Sequence, residues 1–125
     1  MAKTPISADS HITEPPNCYI DYIDPSFRDR APHIAHDDRY GDIYVIDGMK
    51  KTTPLGLIAA AGKDPETLRM SGGVFDELHR GGWDPTYRLA DQDRDGVCAE
   101  IIYPSIGMVL CNHPDFDYKR ACMTA

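Results

Sequence analysis

The chain has 125 residues, 42% hydrophobic and 26% charged, with a formal net charge of −7. That length holds one domain at most, and the composition is that of a globular protein. The acidity argues against nucleic acid or an anionic membrane surface as a partner.

The opening MAKTPISADS carries no apolar leader, and the longest apolar run, LGLIAAAG, is far shorter than the roughly 20 residues of a membrane span. The sequence therefore reads as cytoplasmic, with a small-molecule substrate and self-association as the expected partnerships. Cys18, Cys98, Cys111 and Cys122 form no C-x-x-C pair. They are expected to be reduced and to behave as small buried hydrophobes.

In chain order, the first element is a strand over 4–11, where Ile6 and Ala8 alternate with polar neighbours. Asp9 and His11 then share a face about 6.6 Å apart, at about 3.3 Å per residue. A carboxylate and an imidazole at that separation both reach one divalent cation at about 2.0–2.2 Å. Pro15-Pro16 ends the strand. From there to residue 84 the chain reads as a loop and hairpin excursion outside the core. It holds a helical turn in NCYIDY, irregular chain stopped by Pro25 and Pro32, and a strand in DIYVIDG (Asp42 to Gly48).

Asp84 followed by Pro85 is a helix start, and the helix over 85–95 stops at Gly96. VCAEIIYP reads as a buried strand over 97–103, parallel to the first in a βαβ order. A last helix covers 114–125, with Tyr118, Cys122 and Ala125 on one face. It stops without glycine, proline or a basic last turn, the pattern of a truncated chain.

DQDRDG (Asp91 to Gly96) matches the first half of an EF-hand loop. The twelfth position, where a bidentate carboxylate is needed, is Ile102, so a calcium site is the weaker reading. A βαβ interaction fragment without metal is a further alternative.

Three stretches together resemble the N-terminal part of the amidohydrolase-related family, the branch of the amidohydrolase superfamily that includes aminocarboxymuconate-semialdehyde decarboxylase. They are DSHITEP (Asp9 to Pro15), GGWDPTYRLADQDRDGV (Gly81 to Val97) and EIIYPS (Glu100 to Ser105). The resemblance implies a metal-dependent (β/α)8 TIM barrel with its site at the C-terminal ends of the strands. It maps Asp9 and His11 onto the first-strand metal ligands. Asp9 departs from the commoner histidine, so zinc is the first expectation and manganese or magnesium stay open. The family's remaining ligands, two histidines and an aspartate, would lie beyond Ala125.

A barrel takes about 250 residues, so this chain holds roughly two of eight strands and cannot close one. The implied function is hydrolysis of an amide, ester or related bond by a metal-activated water, with non-oxidative decarboxylation as the alternative. No catalytic residue is assigned beyond the ligands. Glu14 is a candidate to orient a ligand or meet substrate, against a solvated loop residue. His113, after the second strand, is a candidate for the same side, against a helix cap. His33, His36 and His79 read as ordinary surface histidines, and Trp83 and Tyr103 as packing residues.

Overall fold

The computed structural model describes residues 4–50, 53–56, 58, 60 and 62–125. Lys51, Thr52, Leu57, Ala59 and Ala61, inside the excursion expected over 15–84, lie outside the described residues, as do residues 1–3. The chain is mixed α/β, with one parallel and one antiparallel sheet, neither closed.

The parallel sheet pairs β1 (Ile6–Ile12) with β5 (Ala99–Pro104). Ser7 is opposite Glu100 and Ser10 opposite Ile102, so β1 advances three residues while β5 advances two. The extra residue is a bulge, which breaks the ladder locally and reorients the strand. Ser7 and Ser10 consequently share a side, with Oγ atoms 2.7 Å apart.

Between the two strands lies α2 (Pro85–Asp95). Asp84 Oδ1 accepts from Thr86 N at 2.9 Å, Pro85 takes the first turn, and Gly96 closes the helix in the left-handed region at φ 69°. The sequence signals at both ends act as expected. No residue of α2 is fully buried, and its contact with the sheet is polar, through Arg88 to Glu100.

The excursion is not peripheral. It contains α1 (Cys18–Tyr22), a 3-10 turn over Pro25–Arg30, and an antiparallel sheet of β2 (His33–Asp37), β3 (Gly41–Val45) and β4 (Thr53–Pro54). Asp37 Oδ1 accepts from the N–H groups of Arg39 and Tyr40, each at 2.9 Å, and so folds the β2–β3 turn. Gly41 leaves that turn at φ 75°, where a Cβ would stand 2.4 Å from Gly73 O.

The hydrophobic core lies here rather than under the parallel strands. Tyr19, Ile23, Tyr44, Ile46, Leu55, Phe75 and Leu78, all from the excursion, pack with two C-terminal helices. Those helices are α3 (Ser105–Leu110) and α4 (Phe116–Met123). They contribute Ile106, Leu110, Tyr118 and Cys122. The turns that break up the excursion redirect short apolar segments inward, which local pattern alone does not reveal.

Three further expectations are corrected. The strand expected to be buried leaves Ile101, Ile102 and Tyr103 exposed, because among the described residues nothing covers it, so Tyr103 is not a core packing residue. Trp83 does pack, 5.3 Å centroid to centroid from Phe75. The segment after Pro104 is helical at once, as α3, and α4 begins two residues later than expected, capped by Asp115. All four cysteines are free, but Cys98 and Cys111 are exposed. Among the described residues no helix is long and apolar enough to cross a membrane.

Candidate functional site

The triplet Asp9-Ser10-His11 is divided between the two faces of the parallel pair. Asp9 and His11 project from one face, where Asp9 Oδ1 lies 3.3 Å from His11 Nε2 and the His11 ring stands 6.0 Å from that of Tyr103. Ser10 turns to the other face, where α2 lies, and its Oγ stands 2.7 Å from that of Ser7. The face carrying Asp9 and His11 is open: Asp9 is 82% and His11 44% exposed at the side chain.

Two ligands on one ion at about 2.1 Å in tetrahedral array stand about 3.4 Å apart. The Asp9–His11 spacing matches that edge, so the two side chains fit a divalent ion as part of a donor set. The same spacing suits an exposed ion pair. Among the described residues no third histidine, cysteine or carboxylate completes a group of three.

Glu14, just beyond β1, is not in contact with solvent: it is 7% exposed. Its Oε1 accepts from Ile106 N at 2.8 Å, Gly107 N at 2.9 Å and the Tyr19 hydroxyl at 3.3 Å. It thus caps the first turn of α3, satisfying N–H groups that Pro104 cannot. The other oxygen, Oε2, is buried without a partner among the described residues. Burial, and then the Glu14 charge, push the Tyr19 hydroxyl far above its ordinary range. The same two causes raise the Cys18 thiol to about 11.

His113 is also structural in its contacts. Nε2 donates to Asp47 O at 2.6 Å and Nδ1 accepts from Asp115 N at 3.1 Å, so both ring nitrogens are engaged in holding the Asp47-Gly48 turn against the start of α4. The structure therefore brings Asp9 and His11 together and directs Glu14 and His113 elsewhere.

Sequence reading passed over Arg88 and Glu100. Arg88 Nε donates to Glu100 Oε2 at 2.6 Å, Nη1 to Gly81 O at 3.1 Å and Nη2 to His11 O at 3.0 Å. Both side chains are only 14% exposed. Burial works to raise the Glu100 carboxyl, but the hydrogen bond from Arg88 leads the influences, its charge among them, that hold it below its ordinary range. A glutamate inside the apolar run VCAEIIYP was the available signal, since a charge in such a strand needs a partner.

A cavity of about 690 Å³ opens on the α2 side, with His79, Arg88, Asp91, Arg94 and Ser105 among its walls. Its charges are spent on one another. His79 Nε2 donates to Asp91 Oδ2 at 2.6 Å, and Arg94 pairs with Asp91 at 2.9 Å and with Asp95 at 3.2 Å. The His79 bond, first among the causes, holds the Asp91 carboxyl below its usual range. Asp91 to Asp95 is the end of a helix rather than a cation-binding loop.

No protein-family model matches the chain, and no curated protein matches it.

Proposed function

We propose that the chain is the N-terminal part of a metal-dependent enzyme of the amidohydrolase-related family, a (β/α)8 barrel whose first-strand ligands are Asp9 and His11. The observation that carries this reading is the placement of that pair. Its donor atoms are 3.3 Å apart near the C-terminal end of β1, on the face opposite α2. In a (β/α)8 barrel the helices lie outside, and the reactive groups sit at the C-terminal ends of the strands.

Ligation requires the Asp9 carboxylate ionised and the His11 imidazole neutral, with a ring lone pair free for the ion. Zinc is the preferred ion, and the hard Asp9 oxygen keeps manganese and magnesium in play. A divalent ion held by Asp9 and His11 would supply Lewis acidity toward a substrate oxygen and a bound water. Hydrolysis of an amide or ester is the reaction proposed. Decarboxylation is the alternative, favoured by the acidic-x-His order at the first strand. Two protein donors leave an ion mostly hydrated, so the 125 residues alone should bind weakly and turn nothing over.

The test is calorimetric titration of the chain with Zn²⁺, beside Asp9→Ala and His11→Ala. One weak site, lost in both variants, is expected. Unchanged isotherms in both would reduce the triplet to a strand-end ion pair. In a form that turns over, acid release from amides and esters against CO₂ release from aromatic acids separates the two reactions.

A further inference from the structure

We infer that the buried Arg88–Glu100 pair is a clamp that sets the direction of Asp9 and His11 from the opposite face of the sheet, an inference that rests on the metal-site reading. The bulge leaves Ala8 and Asp9 without register partners on β5. The ladder therefore does not fix the direction of the strand where the candidate ligands begin. Something else must do so.

Arg88, braced by Glu100, takes hold of the triplet at its last residue. The guanidinium donates to the main-chain oxygen of His11 at 3.0 Å, which orients the peptide following the imidazole. The Glu100 carboxylate fixes the guanidinium itself, accepting from Nε at 2.6 Å. The remaining donors of Arg88 reach Glu100 itself and Gly81 O, so one planar fork ties β1, β5 and the turn before α2 into a fixed arrangement. Lysine carries its three donors on one nitrogen and cannot span acceptors that Arg88 meets with three separate nitrogens.

With the His11 carbonyl held by Arg88, the direction of the Asp9 and His11 side chains is set from the opposite face. Arg88 and Glu100 are positioning residues, since neither faces the side on which an ion would sit.

The experiment uses the isotopically labelled chain with Ser10→Ala, Arg88→Lys and Glu100→Gln. Two quantities are read by NMR: the ring-to-ring contact between His11 and Tyr103 in the metal-free protein, and the affinity for Co²⁺ alone, followed at the His11 ring. Arg88→Lys and Glu100→Gln should weaken the ring contact and lower Co²⁺ affinity about tenfold to a hundredfold, the usual effect of removing support behind a ligand. Ser10→Ala, whose hydroxyl meets Ser7 and not the clamp, should leave both quantities in place. Signals of Tyr44 and Tyr118 in the core should stay in place.

If Arg88→Lys and Glu100→Gln keep both the ring contact and the affinity, the clamp is overturned. If Arg88→Lys also disturbs the core, Glu100→Gln, which leaves Arg88 in place and removes only the charge that braces it, decides. If the unaltered chain binds no Co²⁺ at His11, the metal reading fails, and the clamp stands or falls on the ring contacts.

Discussion

Glu14 is the residue whose surroundings most change its meaning. Read in DSHITEP it is a carboxylate three positions beyond a candidate ligand, while in the fold it is a buried cap for a helix that begins at Ser105. Its Oε1 satisfies two main-chain N–H groups and the Tyr19 hydroxyl, and its main-chain oxygen accepts from the Tyr44 hydroxyl. Glu14→Ala should therefore strip partners from several buried donors and cost about 3 kcal/mol, the scale for unsatisfied buried groups. Glu14→Gln keeps an acceptor for those donors and replaces the unpartnered Oε2 with a neutral amide, which is cheaper to bury than a charge. Its cost should stay within about 1 kcal/mol. Urea unfolding of both variants checks the contrast. Equal losses would mean that the charge, and not the geometry of Oε1, supports α3.

At the scale of elements, α2 shows which parts of a helix local chemistry settles. Asp84 bonds Thr86 N, and Asp84→Ala should cost about 1 kcal/mol, seen as a lowered unfolding midpoint. What fastens the helix to the sheet is a different matter, because Arg88 makes the attachment, to Glu100 on β5 and to the His11 carbonyl on β1. The Glu100 carboxyl has a lowered pKa: burial, the largest single influence, raises it, and influences led by the hydrogen bond from Arg88 outweigh burial. A lowered folded pKa gives stability that is complete above the unfolded value of about 4.3 and disappears as pH falls through the folded value. The stability difference between the chain and Glu100→Gln should thus be largest near neutrality and close on acidification below about pH 4. Denaturant midpoints measured across that range check the sign. A gap that is constant with pH would exclude the ionised form as its source.

For the whole molecule, burial is uneven. The antiparallel sheet and helices α1, α3 and α4 share a core, whereas the parallel pair leaves Ile6, Ile101 and Tyr103 exposed on the Asp9–His11 face. Parallel strands are ordinarily covered on both faces. An uncovered apolar face of this kind promotes association. The chain should accordingly associate with increasing concentration, and Ile101→Lys should suppress this without lowering the unfolding midpoint, since Ile101 is 52% exposed. Sedimentation velocity over a wide concentration range is the measurement. A monomer throughout, or unchanged association in the variant, would remove this face from consideration.

The sequence by itself determined what depends on residues a few positions apart. Asp84, Pro85 and Gly96 set the ends of α2, and the i, i+2 spacing placed Asp9 and His11 on one face. The order strand, helix, strand pointed to the parallel pairing of β1 with β5. Only the tertiary structure decided that the broken segment between Pro15 and Asp84 carries much of the core, and that Glu14 turns inward to α3. It alone brought Arg88 to the main chain of His11, 77 positions away in sequence. The reason is physical: caps and alternation act through bonds within one turn or one pleat, while the burial of a charge is set by whichever distant donors the fold delivers to it.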